Sequence, residues 1–200
     1  MYVLGAVGHS DTGKTTLVER LADRLESRGR VATIKHLHDF DVDTEGKDTA
    51  RHRAAGADRT YGLTDRGEWF ATGENRTLRG TLEDLAPEFD YTLVEGYSDA
   101  AIPQVVLGGR EHAGEAIANA PNADAVDIEA VIEALHDTDP FETLDSLVQS
   151  VKHDPVAAEA GAIATFTGQV RAKDHPEDDR TEHLAFEKYE GVAEDRLEDI

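Results

Sequence analysis

Residues 8–15 read Gly-His-Ser-Asp-Thr-Gly-Lys-Thr, which fits the spacing Gly-x4-Gly-Lys-Thr. No other stretch restricts the fold as much. Gly8 and Gly13 permit a tight loop whose backbone N–H groups can surround phosphates, with Asp11 and Thr12 inside the loop. Lys14 supplies a point charge to the β and γ phosphates, the Thr15 hydroxyl can ligate Mg²⁺, and the next helix aims its N-terminus at the anion. The spacing also occurs by chance in strand–helix turns, so context decides. An apolar run, Tyr2–Val7, precedes the loop and reads as a buried strand. From Thr15 to Arg28 the period becomes helical: Leu17, Val18, Leu21, Ala22 and Leu25 share one face, and Glu19, Arg20, Asp23, Arg24 and Glu26 take the other. Strand, loop and helix therefore occur in the order a nucleotide site requires.

The remaining pattern alternates. Gly29 reads as the C′ residue of the first helix, and 30–36 as a second strand. Residues 37–47 are acidic and aperiodic, hence a loop, and 47–57 a short helix. Strands at 59–64 and 68–72 flank a turn at Asp65–Gly67. A helix follows at 77–86, strands at 90–96 and 102–109, and an amphipathic helix at 127–137. This order predicts an α/β fold, a mainly parallel sheet with helices on both faces. The pattern breaks at 137–141, Asp-Thr-Asp-Pro-Phe. Beyond it the sequence predicts a helix at 141–153, a strand at 161–170, a charged loop at 172–180, a strand at 181–190 and the start of a helix at 191–200. At roughly 150 residues per domain, 200 residues suit one domain, 1–137, and part of another, 141–200.

A phosphate loop needs an acid to hold its metal. Glu95 follows the apolar run Tyr91–Val94 at a strand end, where a Walker-B acid belongs, although a turn glutamate before Gly96 would look the same. Asp39, Asp41 and Asp43 lie in the loop after the second strand, and Asp41 is the choice for a second acid. The metal set is then Thr15, Glu95 and Asp41. His36, His38 and Asp39 could form a transition-metal site, or be polar residues of that loop. No Asn-Lys-x-Asp motif reads a guanine, so the motifs leave GTP and ATP both open.

Charge and composition bound the partners. The chain carries 42 acids against 20 bases, a formal net charge of −22, with six lysines. The acids are spread along the chain and not gathered in a tail; they read as a solvated acidic coat of the kind seen in proteins that work in concentrated salt, with a basic partner as the alternative. Such a charge disfavours nucleic acid. There is no cysteine, so disulfides and thiolate chemistry are excluded. No apolar run is long enough for a membrane span, and the first residues do not resemble a signal peptide. A cytoplasmic protein is the expectation.

Three segments converge on a family: GHSDTGKTTLVERLADRLESRGRVATIKH, HDFDVDTEGKDTARHRAAGA and LVEGY. Together they resemble the molybdopterin-guanine dinucleotide biosynthesis protein B family, over about residues 1–136. The resemblance implies a P-loop GTPase of molybdenum cofactor assembly. Its ligands would be GTP and Mg²⁺, its intrinsic hydrolysis weak, its state a homodimer and its partner the molybdenum cofactor guanylyltransferase that attaches GMP to molybdopterin. It places Gly13, Lys14, Thr15 and Thr16 at the phosphates and metal, Asp41 and Asp43 in the loop facing the nucleotide, and Glu95 at the Walker-B position.

Residues 161–200, with FTGQVR as their specific piece, resemble the front half of the molybdopterin synthase catalytic subunit. That enzyme transfers sulfur from a small carrier subunit to precursor Z. The resemblance puts Gln169, Val170 and Arg171 at the substrate, and the planar guanidinium of Arg171 suits a phosphate. The family's catalytic lysines lie beyond the aligned stretch, and Lys173 and Lys188 are not in matching positions. The expectation is a fragment of a longer fusion or a catalytically dead module. Two other readings compete with the cofactor-assembly GTPase. One is a metallochaperone GTPase using His36, His38 and Asp39. The other is a nucleotide-gated scaffold that does not hydrolyse.

Overall fold

The computed structural model describes residues 1–38, 46–155, 162–165, 167–168, 173 and 177. The chain divides into two units, Met1–Ala160 and Gly161–Ile200.

In the first unit, β1 (Tyr2–Gly8) is the centre of a five-stranded parallel sheet. It is flanked by β5 (Tyr91–Glu95) and β6 (Gln104–Leu107), with β2 (Val31–Lys35) outside β5 and β7 (Ala116–Ala120) outside β6. The three inner strands are near-continuous apolar runs, as strands covered on both faces must be. On one face Leu4, Ala6, Leu93, Val105 and Leu107 pack against α1 (Lys14–Leu25) and α4 (Ile128–His136), through Leu17, Leu21, Leu25, Ile132 and Leu135. On the other, Val3 and Val94 meet Leu82 of α3 (Leu78–Leu85), with Phe141 packed alongside. Parallel pairing stacks the strand C-termini at one end of the sheet. Ala6 and Lys35 both register with Glu95, and Gly8 registers with Leu107.

Outside this sheet, α2 (Asp48–Ala54) precedes an antiparallel hairpin of β3 (Arg59–Leu63) and β4 (Trp69–Gly73). Helix α5 (Leu144–His153) begins at a capping box, in which Thr143 and Ser146 satisfy each other's backbone N–H groups. Backbone hydrogen bonds between Met1 and Phe141 hold the preceding segment to the start of β1.

The expected α/β fold is observed, with differences in detail. Helix α1 stops at Leu25 rather than Arg28. Gly29 is not a left-handed cap; a Cβ there would lie 2.5 Å from the Asp90 carboxylate, which accepts a hydrogen bond from Arg30 N. The glycine serves a close approach, and that approach turns the chain into β2. Strand β7 was not foreseen, because Ala-Ile-Ala-Asn-Ala has little β propensity; its pairing with β6 makes it a strand. Helix α2 is shorter than the 47–57 expected. Finally, 162–165 and 167–168 are not in a strand. A strand exists only with a hydrogen-bonded neighbour, and these residues have none among the described ones.

Candidate functional site

The phosphate loop runs from the end of β1 into α1, and its backbone explains its glycines. Gly13 has φ +86°, and a Cβ there would strike Ala123 Cβ at 2.8 Å. A Cβ on Gly8 would meet Thr12 Oγ1 at 2.5 Å and Leu107 Cβ at 2.9 Å. Asp11 is also left-handed, with φ 62°, an uncommon state for a residue with a side chain. Thr12 secures the turn by donating its hydroxyl to His9 O at 2.9 Å, while its carbonyl accepts from Ala123 N at 3.1 Å. Arg20 of α1 braces the 3-10 turn at Ala123–Ala125 from behind, donating to Ala123 O and Val126 O. The loop is thus fixed on two sides before any ligand arrives.

Lys14 curls back over the loop, its ammonium 3.0 Å from Gly8 O and 2.7 Å from His9 O. Thr15, in the first turn of α1, donates its hydroxyl to Glu95 Oε1 at 3.0 Å. Thr16 is exposed in the same turn. Glu95 is the last residue of β5, next to β1 in the sheet, and its side chain is only 12% exposed. Parallel pairing therefore delivers the strand-end acid to the phosphate loop, where the sequence placed it. Asp39, Asp41 and Asp43 lie outside the described residues, as do Gln169, Val170 and Arg171.

Three features of this site went unread in the sequence. Lys35, at the end of β2, reaches Glu95 Oε1 at 3.0 Å and Thr15 Oγ1 at 3.4 Å. Tyr97 stacks on His36, with ring centroids 4.2 Å apart and an 18° interplanar angle. Arg110, after the left-handed pair Gly108 and Gly109, joins Lys14, His38, Glu95 and Tyr97 around a cleft of about 400 Å³. The Gly-Gly pair at a strand end was the available signal for Arg110. Lys35 and Tyr97 carried none, because both depend on strand order.

The wall beside Glu95 is strained and supported. Gly96 has φ +93°, and its missing Cβ leaves room for His36 Cβ, which would stand 2.8 Å away. Tyr97 follows at φ 54°, a conformation that persists only when the surroundings impose it. Fully buried Gln104 donates to Ala100 O at 3.0 Å and Tyr97 O at 3.4 Å, holding this turn from below. Gly5 makes space for it, since a Cβ there would lie 3.0 Å from Gln104 Cγ.

His36 and His38 have ring centroids 4.7 Å apart. With His36 already stacked on Tyr97, they form an aromatic wall. Among the described residues no group of three or more His, Asp or Glu side chains could hold a metal. None of the described helices is long and apolar enough to cross a membrane.

The family models divide the chain in two. Residues 3–134 match MobB, molybdopterin guanine dinucleotide synthesis protein B, and residues 136–200 match the MoaE protein. A probable molybdopterin synthase from Haloferax volcanii is 44% identical over 200 residues, covering all of this chain and 72% of that protein. The MobB-then-MoaE order is therefore shared by a relative. The molybdopterin-guanine dinucleotide biosynthesis adapter protein of Haemophilus influenzae is 39% identical over 116 residues, 54% of this chain and 64% of that one. A crystal structure of Bacillus subtilis MobB matches 69% of this chain and 100% of its own, at a TM-score of 0.50 and 27% identity. These relatives favour cofactor assembly over the metallochaperone reading. The chain belongs to the MobB family of molybdenum cofactor biosynthesis over residues 3–134, and continues into a MoaE segment over 136–200.

Proposed function

We propose that residues 1–137 bind GTP with Mg²⁺ and hydrolyse it weakly, in support of GMP attachment to molybdopterin. The contact between Thr15 and Glu95 carries this reading. A loop hydroxyl and a strand-end carboxylate, 80 residues apart in sequence, meet at 3.0 Å beside the phosphate loop. Both are hard oxygen donors, the chemistry Mg²⁺ prefers, and the Lys35 ammonium already occupies a cation's place beside them. The residues present therefore fit the metal.

Each residue then has a task. Backbone N–H groups of 8–15 and the N-terminus of α1 hold the phosphates. Lys14 exchanges the carbonyls of Gly8 and His9 for phosphate oxygens, a charge-assisted contact in place of a weaker one. Thr15 and Glu95 hold the metal, whose chemistry is to neutralise the developing phosphate charge. Asp41 is assigned as a further acid from its place in the acidic loop after the second strand, and the family resemblance puts it with Asp43 in the loop facing the nucleotide. That resemblance also supports guanine over adenine, a homodimer and a guanylyltransferase partner.

Residues 141–200 are assigned to a synthase module that takes a small sulfur-carrier subunit and a molybdopterin precursor. Gln169, Val170 and Arg171 are its substrate-contacting loop. The name of the Haloferax relative, a probable molybdopterin synthase, supports a transferase role for this segment. A parallel titration of the full chain with GTP and ATP, with Mg²⁺, tests the nucleotide reading. GTP is expected to bind more tightly, and Glu95→Gln to retain nucleotide while losing Mg²⁺-dependent turnover. Equal affinity would remove the guanine assignment, and unchanged turnover in the variant would remove Glu95 from the metal.

A further inference from the structure

Lysine is scarce in this chain, six residues among 200, yet two of the six, Lys14 and Lys35, lie at this one site. Their situations differ. Lys14 rests on backbone carbonyls of its own loop. Lys35 closes a triangle with the two proposed metal ligands: 3.0 Å to Glu95 Oε1, 3.4 Å to Thr15 Oγ1, and 3.0 Å between those two oxygens. The sheet fixes this arrangement, because Lys35 and Glu95 are register partners at the ends of β2 and β5.

We infer that Lys35 is a positioning residue whose ammonium stands in for the metal ion between Thr15 and Glu95, and yields that place only when metal and nucleotide arrive together. This rests on the reading of the cleft as a nucleotide–Mg²⁺ site. Charge and exposure support it. Glu95 is 12% exposed, and a carboxylate so enclosed needs a compensating charge. Lys35 supplies it, but its side chain is 53% exposed. Its ammonium can therefore move into solvent once another cation takes its place beside Glu95. A divalent ion arriving alone would bring three positive charges against one carboxylate. Arriving with a polyphosphate, it brings the anion that accommodates both cations. Lys35 thus makes metal binding conditional on nucleotide.

The test uses Mn²⁺ alone as the probe, read by the electron paramagnetic resonance of the free ion, on the full chain without nucleotide. The unmodified protein is expected to bind Mn²⁺ weakly. Lys35→Met and Lys35→Gln remove the charge and should bind it at least about tenfold more tightly, since one cation beside a divalent ion exceeds that factor even in water. Lys35→Arg keeps the charge and should behave as the unmodified protein does. Adding Glu95→Gln to Lys35→Met should abolish the gain. Circular dichroism and the melting temperature of the single variants, measured in parallel, verify their fold. If they are folded but show no gain in Mn²⁺ affinity, the stand-in role is overturned and the nucleotide reading survives. If the unmodified protein fails to bind GTP–Mg²⁺, the nucleotide reading falls and the inference with it.

Discussion

The parallel sheet and the β3–β4 hairpin are built from strands of similar length, yet they differ in what surrounds them. In β1 and β5 nearly every residue is buried, and each strand is paired on both sides. The hairpin strands have one partner each and expose large apolar groups: Tyr61 at 52%, Leu63 at 78%, Trp69 at 67% and Phe70 at 48%. The sheet end carries polar groups on a backbone it cannot easily move, which suits a site needing fixed geometry. The hairpin carries apolar groups on a backbone that few contacts constrain. Similar strand chemistry therefore does different things, depending on whether neighbours cover it.

The largest expected effect tests that contrast in stability. Leu21 is 1% exposed, between α1 and the sheet. Leu21→Ala should cost about 2–5 kcal/mol, from lost burial and the cavity left behind. Leu63→Ala should change stability by no more than about 0.5 kcal/mol. Denaturant unfolding of both variants checks this. Equal losses would mean that the hairpin residue is covered in solution.

A second contrast concerns ligand binding. Lys14→Ala removes the proposed charge-assisted phosphate contact and should weaken GTP by about 1.5–3 kcal/mol, roughly ten- to 150-fold. Trp69→Ala, in the hairpin, should leave GTP affinity within about twofold, a surface change being worth at most about 0.5 kcal/mol. Calorimetric titration of the two variants separates the regions, and a Trp69 effect equal to that of Lys14 would join them.

The same contrast explains what the sequence revealed. The phosphate loop and Glu95 were legible because their signals are local: fixed glycine spacing, and an acid ending an apolar run. The triangle of Thr15, Lys35 and Glu95 was not, because it depends on β2 lying beside β5, and strand order is not written in any local spacing. Strand β7 was missed for a related reason. Its alanines acquire strand geometry only from β6. Gly29 was recognised as special for the wrong cause, since close approach to Asp90 and a left-handed cap both ask for glycine. The family boundary at 134–136 and the structural division after Ala160 also differ. Helix α5 is MoaE-like in sequence but belongs to the first unit, and the backbone pairing of Met1 with Phe141 holds the segment before it.

A smaller effect should run the opposite way. Thr60 and Thr72 face each other across the hairpin, both buried, and neither hydroxyl has a partner among the described residues. A buried hydroxyl without a hydrogen bond costs free energy. Thr72→Val keeps the shape and removes the cost, so the protein should gain about 1 kcal/mol. A rise in the unfolding midpoint checks this. A loss would show that the hydroxyl finds a partner in solution.

The smallest effect lies on the outside of the sheet domain, where helix α4 meets α1. Glu129 accepts hydrogen bonds from Arg24 and Arg28, and the three side chains are one-third to one-half exposed. The Arg24 hydrogen bond holds the Glu129 carboxyl below its ordinary value of 4.5, against a smaller opposing effect of burial and with added help from the Arg28 hydrogen bond and the charges of both arginines. A carboxyl lowered in the folded state binds its proton more readily when unfolded. Its contribution to stability is therefore fully present above the ordinary value, and is lost as pH falls through the folded value. Glu129→Gln should lower the melting temperature slightly at neutral pH, and the difference should vanish in acid. Salt should shrink it at neutral pH, because the pair is exposed. Melting curves at neutral and acid pH, each at low and high salt, measure both trends. A difference that persists in acid would mean that Glu129 acts through packing and not through its charge.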